Sequence, residues 1–149
     1  MKKLKLLALT LGVVLLGGQV LAGGVGYINI QKVANGYPLA QSSYKELYNK
    51  ELEIQQFALD KEKQYKALTT PVQKQNFKET YEREMKAKED AYLKMEAEKT
   101  ELINNKIQAA ARQVLVEQKL DAIVDYSVIF VGGVDISDLV LQKLKSGQI

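Results

Sequence analysis

Between Leu39 and Gln118 the chain runs for about eighty residues without a glycine and with a single internal proline. Rich in Glu, Lys, Gln, Ala and Leu, a stretch of that length is committed to helix. Its one interruption is Thr69-Thr70-Pro71. Proline drives the residue before it out of helical geometry, and Thr70 as N-cap with Pro71 at the first helical position starts a new helix. The pattern predicts two long helices folded back at residues 69–71 into an antiparallel hairpin spanning 39–118. Some thirty residues at ~1.5 Å each give a first arm of ~45 Å. A two-helix arm of that length buries one stripe and leaves most of its surface wet, so it must project from something else.

The stripes support the hairpin. In the first helix Tyr44, Leu47, Ile54, Ala58, Tyr65 and Leu68 recur at helical spacings, interrupted by Glu51 and Lys61, while Leu52, Phe57 and Leu59 fall outside the row. In the second, Phe77, Tyr81, Met85, Tyr92, Met95, Leu102, Ile107, Ala110 and Val114 share a face between charged runs. A narrow apolar stripe on a charged helix needs a partner stripe, and the preceding helix is the nearest one. The seam mixes Tyr and Met rather than repeating Leu and Ile, which predicts a loosely packed coiled coil.

The N-terminus reads differently. Met1-Lys2-Lys3-Leu4-Lys5 is a basic start, Leu6 to Leu16 is almost unbroken apolar sequence, and Val20-Leu21-Ala22 offers small residues at the positions a signal peptidase reads. Residues 1–22 are therefore expected to be a secretory signal peptide cleaved after Ala22. As a membrane anchor the run is too short and ends in Gly17-Gly18, and no cysteine follows to carry a lipid. The whole chain counts 21 basic and 18 acidic residues. Three of its lysines lie in the leader, so the remaining 127 residues are formally neutral, which weakens any argument from net charge to nucleic acid. Cysteine and histidine are both absent. Thiolate metal sites and histidine acid–base chemistry therefore lose their usual residues, and no cofactor or metal is expected.

The sequence flanking the helices is short and apolar. Val25 to Ile30 is β-branched and aromatic enough for a strand, with a helical turn at 31–34 ended by Asn35-Gly36. Gly23-Gly24 precede that strand, whereas a phosphate-binding loop follows one. Beyond Gln118, Leu120–Tyr126 and Val128–Val131 read as two further strands with Ser127 between them, broken by Gly132-Gly133. Asp135 then caps a short helix that has Asp138 in its first turn, Lys143 and Lys145 in its last, and Leu139, Val140 and Leu144 on its buried side. Asp121 and Asp125 stand four apart with no activated nucleophile near them, so an enzyme is not expected.

The fold class is thus α+β: a helical hairpin on a small sheet body formed by residues 23–38 and 119–149 of a single domain, 23–149. A three-stranded sheet with one short helix is marginal alone and exposes edges. The economical solution is oligomerisation through Val25, Tyr27, Ile28, Ile30, Ile123, Val124, Ile129 and Val131.

Three stretches carry a resemblance to a known family: Val25-Gly26-Tyr27-Ile28-Asn29-Ile30-Gln31-Lys32-Val33 with Tyr37-Pro38; Leu120-Asp121-Ala122-Ile123-Val124-Asp125; and Val134-Asp135-Ile136-Ser137-Asp138-Leu139-Val140. Together they cover about a third of the chain after the leader, and the chain resembles the Skp, or OmpH, family of periplasmic chaperones. The resemblance implies a homotrimer with a shared β-barrel-like core and three coiled-coil tentacles. These would enclose a cavity in which unfolded outer-membrane proteins are held without ATP.

On that reading Tyr48, Phe57, Tyr81 and Tyr92 are candidate client contacts. Lys61, Lys63, Lys66, Lys74 and Lys78, set against Glu62 alone between 61 and 78, form a basic tip. Such a tip is a candidate for contact with anionic membrane or lipopolysaccharide. The neutral charge of the chain after the leader departs from the family's best-known members. The alternative from another class is an exported coiled-coil spacer of the cell envelope.

Overall fold

The computed structural model describes residues 23–147 and residue 149. The expected leader, 1–22, lies outside the described residues. In chain order the elements are β1 (Val25–Ile28), α1 (Ile30–Gly36), α2 (Pro38–Ala67), α3 (Pro71–Glu117), β2 (Ala122–Asp125), β3 (Val134–Asp135) and α4 (Ser137–Ser146), with a single 3₁₀ turn at Tyr126–Val128. The protein is mostly helical, with two long helices and one small sheet, an α+β arrangement.

All three strands are parallel, in the order β2-β1-β3. Val25 to Ile28 face Ala122 to Asp125 in register, while Gly26 and Tyr27 face Val134 and Asp135. Parallel neighbours need a long crossover. Here the whole of α1, α2 and α3 is that crossover, so one strand pair holds both roots of the long helices.

The joint between the long helices forms as its residues dictate. Thr70 accepts from the Gln73 amide, and the Gln73 side chain accepts in return from the Thr70 amide, a capping box with Pro71 at the first helical position. At the far end α3 closes with Lys119 in the left-handed region, φ 53°. The amide of Leu120 donates to Leu115 at 2.9 Å and that of Lys119 to Val116 at 3.2 Å, the paired bonds of a Schellman close.

Four expectations from the sequence need correction. Ile30 is not in a strand: Asn29 accepts from the Lys32 amide at 2.9 Å and starts α1, with Ile30 exposed as its first residue. Val128–Val131 is not a strand either. The Asp125 carboxylate accepts from the Ser127 amide at 2.8 Å and its hydroxyl at 2.5 Å, an Asx turn that takes the chain out of β2. The third strand is instead Val134–Asp135, reached after Gly132 and Gly133, both at φ +85°. At Gly133 a side chain would sit 3.1 Å from the Tyr27 ring and 3.2 Å from the Val25 carbonyl. Leu139 is exposed; Ile136, Val140 and Leu144 are the residues that seat α4. Finally, Tyr44 and Leu102 are exposed, and Ser43 and Ile103 take their places between the helices.

The core lies at the base. Val33, Ala34, Tyr37 and Ala40 from α1 and its junction with α2 meet Ile103, Ile107, Ala110 and Val114 of α3, with Ile28 beneath and Ile136, Val140 and Leu144 alongside. Ser137 is fully buried; its hydroxyl donates to Asp135 at 2.6 Å and accepts from the Asn29 amide at 2.9 Å. That hydroxyl ties the turn after β1 to the turn after β3.

Candidate functional site

Two surfaces stand out: the seam between α2 and α3 away from the base, and an apolar edge on the sheet body. Along α2 the residues facing α3 are Ala40, Ser43, Leu47, Lys50, Ile54, Phe57 and Lys61, at alternating three- and four-residue steps. On α3 the matching row is Phe77, Tyr81, Glu84, Lys88, Tyr92, Met95, Lys99, Ile103, Ile107, Ala110 and Val114. Nearest the base these side chains are buried. Beyond Leu47 on α2, and on α3 before Ile103, none is. The outer seam is filled instead by rings and by the stems of charged residues.

Phe57, outside the stripe expected from sequence, stacks on Tyr81 with centroids 6.1 Å apart and planes 13° apart. Tyr65 meets Phe77 at 5.9 Å. The Lys61 ammonium lies 5.1 Å from the Phe57 ring and 5.6 Å from Phe77, and pairs with Glu84 at 2.5 Å across the seam. The Lys88 ammonium lies 4.7 Å from the centre of the same Phe57 ring. Nearer the base Lys99 bridges to Glu46 at 2.5 Å. Cation–ring contacts of this kind are worth roughly 0.5–1 kcal/mol where solvent reaches them. The interface is therefore held by many small terms rather than by a dry core. Of the remaining candidate contacts, Tyr48 is exposed on α2 and Tyr92 half-buried on α3.

The five tip lysines meet more negative charge than the interval from 61 to 78 contains. Lys61 pairs with Glu84, Lys63 with Asp60 at 3.7 Å, Lys66 with Glu62 at 2.5 Å and Lys78 with Glu82 at 3.8 Å. The Lys66 hydrogen bond holds the Glu62 carboxyl below its ordinary range. Lys74 stands 5.6 Å over the Tyr65 ring. Across 60–84 Lys61, Lys63, Lys66, Lys74, Lys78 and Arg83 face Asp60, Glu62, Glu79, Glu82 and Glu84, so the local excess falls to one.

The body presents the second surface. Tyr126, Val128, Phe130, Val131 and Val134 are all exposed, Phe130 completely. Tyr27 is half-buried and meets Tyr126 at 6.0 Å; Ile123, Val124 and Ile129 are half-buried, and Val25 and Val131 exposed. Ile28, expected at the contact between copies, is instead buried in the chain's own core, where its side chain packs with those of α1 and α3. The stretch Tyr126–Val131 is apolar on both faces between an Asx turn and two glycines. That is the signal by which Phe130, missed from sequence, stands out as a wholly exposed ring.

Among the described residues no helix is long and apolar enough to cross a membrane, and no cluster of His, Cys, Asp or Glu is placed to hold a metal ion. Asp125 and Asp135 are both held below the usual carboxylate range, first by the Ser127 and Ser137 hydroxyls and then by the same residues' amides. Both therefore serve as acceptors that shape turns. The chain matches no protein-family model and no curated protein.

Proposed function

We propose that the protein is an ATP-independent holdase of the periplasm. In this reading three copies assemble through the sheet body, and each contributes one antiparallel coiled-coil tentacle, α2–α3, to the wall of a cavity. Unfolded outer-membrane proteins are kept from aggregating there by many weak contacts, and are released because the folded state in the membrane is more stable.

The observation that supports this most is the division of the long helices. Their inner ends are cemented into the body, while their outer parts carry exposed Tyr48, Leu52 and Leu59 and a seam of rings and charges. A rigid spacer gains from a dry, repeating core, whereas a surface that accepts many partners gains from adaptable apolar contacts. The exposed Tyr126–Val131 edge supports assembly, since an apolar edge beside a three-stranded sheet is covered most economically by another copy.

The test is suppression of aggregation when a urea-unfolded β-barrel protein is diluted into buffer, with the mass of the protein alone measured by sedimentation. Suppression at one trimer per client, together with a trimeric mass, is the expected result. An assembled protein that leaves aggregation unchanged would favour the envelope-spacer alternative.

A further inference from the structure

On α2, Tyr44, Tyr48, Leu52 and Leu59 lie within an arc of about 80° at 100° per residue, beside the seam but outside it. All four are exposed. The stripe leads into a groove of about 810 Å³ between the helices, with Ala58, Leu59, Tyr65, Phe77 and Tyr81 as its walls and Lys78 at its rim. The groove is open because a seam position is held by Lys61, whose ammonium is drawn to Glu84 and whose stem fills less space than a ring.

We infer that this stripe and groove bind an extended stretch of unfolded polypeptide in which large apolar side chains alternate with polar or acidic ones. The inference deepens the holdase reading and rests on it for the identity of the client. Three observations choose this occupant.

The first is the repeat. Residues four apart on a helix are spaced by ~6 Å, and alternate residues of an extended chain by ~6.6 Å. A strand-like segment lying along α2 therefore sets successive same-side residues against Tyr44, Tyr48 and Leu52 and delivers a later one towards the groove. The second is what a helix would have to cover. Gln55 and Glu62 fall on the same arc, engaged with Glu51 at 3.4 Å and with Lys66. Both line the groove, and a helix from a second copy would cover them with its peptide groups already spent internally, whereas an extended chain brings unpaired peptide groups to the Gln55 carboxamide and the Glu62 carboxylate. The third is charge. Of the groove's charges Lys61 is paired with Glu84, Lys78 with Glu82 and the lining carboxylate Glu62 with Lys66, while Lys74 stands beside it over the Tyr65 ring and adds the local excess of one positive charge. The rim therefore favours acidic residues at the polar positions.

Alternation of this kind is the pattern of a membrane β-strand, so the site would read a periodicity that unfolded β-barrel chains share rather than any one sequence.

The protein contains no tryptophan, so the fluorescence of a tryptophan-bearing peptide reports the peptide alone. Three short peptides of equal length are titrated with the protein: Trp and Leu alternating with Asp and Ser, the same residues in blocks, and the alternating order with Lys for Asp. The expected result is a blue shift and raised anisotropy for the first. The blocked peptide should bind at least ~10-fold more weakly, and the Lys peptide should be weakened as well. The double variant Leu52→Gln/Leu59→Gln, at two exposed positions, should keep its circular dichroism and sedimentation mass and lose at least ~10-fold in affinity for the alternating peptide.

Equal binding of the alternating and blocked peptides overturns the inference, and so does a double variant whose mass falls, which would make the stripe a contact between copies. The aggregation assay separates this from the function proposed above. A double variant that binds the alternating peptide as tightly as wild type, while wild type protects a β-barrel client, sinks the groove and leaves the holdase. Selective peptide binding by a protein that protects no client sinks the holdase and leaves the groove.

Discussion

Ser137→Ala should be the most damaging single-atom change in the body, and its near twin at Ser127 supplies the control. Both serines donate amide and hydroxyl to the aspartate two residues before, at 2.8 and 2.5 Å for Ser127 and 2.9 and 2.6 Å for Ser137. They differ in what lies around them. Ser127 is exposed, whereas Ser137 is fully buried and also accepts from the Asn29 amide at 2.9 Å. Removing the Ser137 hydroxyl leaves the Asn29 N–H without its partner, at about 1–3 kcal/mol. The bond lost to Asp135 adds only about 0.5 kcal/mol, because that carboxylate is exposed and water replaces the hydroxyl. The expected loss is about 2 kcal/mol for Ser137→Ala and about 0.5 kcal/mol for Ser127→Ala. Urea unfolding followed by circular dichroism measures both, at one fixed protein concentration so that any contribution from assembly is the same in each. Acid adds a second signature. Asp135 is held below its ordinary 3.8, first by the Ser137 hydroxyl, so its contribution is complete above that value and is lost as pH falls through the lower folded value. Ser137→Ala removes the main cause, and its stability should fall less steeply below about pH 4 than that of wild type. Losses from the two alanine variants equal to within about 0.5 kcal/mol would refute the account of Ser137 as a tie between two turns.

Further outcomes follow from the same geometry. Ile107→Ala, at a buried position of α3 in the core, should lower stability by about 2–5 kcal/mol in the same urea assay. Lys119→Gly relieves a left-handed residue at the close of α3 and should raise the unfolding free energy by about 1 kcal/mol, with no change in mass. Phe130→Asp, at a side chain with no cover in the protomer, should leave circular dichroism unchanged and reduce the sedimentation mass. An unchanged mass would show that the apolar edge is not where copies meet.

The long helices were legible because their evidence is local. Absence of glycine, the Thr70-Pro71 start and the change of texture after Gln118 all act within a few residues of the boundaries they set. The run after β2 departs from its sequence pattern for a complementary reason. Val128, Ile129, Phe130 and Val131 have every intrinsic preference for a strand, but Asp125 captures the Ser127 amide and hydroxyl and redirects the chain before they can pair. Ile30 was lost in the same way to the Asn29 cap. The seam is half-legible: the apolar pattern holds Leu47, Ile54 and Ile107 and marks Lys61 only as an interruption, and it does not include Glu84, Lys88 and Lys99. These hold seam positions by pairing across to the other helix or lying over its rings, a relation that no single helix displays.

Those charged seam residues bear on how the two parts of the molecule divide their work. Packing an entire two-helix arm with Leu and Ile would make it as hard to deform as the base, and its exposed stripe would then offer one fixed shape. With Lys61, Lys88 and Lys99 in the seam, each contact is worth a fraction of a kcal/mol to about 1 kcal/mol and is reached through a flexible stem, so local opening is cheap there. The base is protected from that looseness by topology. Because β1 and β2 are adjacent parallel strands joined through the whole of α1, α2 and α3, both roots of the arm are fixed by one ladder, Val25 to Ile28 against Ala122 to Asp125. Outer turns of the arm can then shift or part while Ile103, Ile107, Ala110 and Val114 stay seated against α1 and α4. A chain built this way separates the residues that fix the fold from those whose contacts open cheaply, and places the boundary near Leu47 and Ile103.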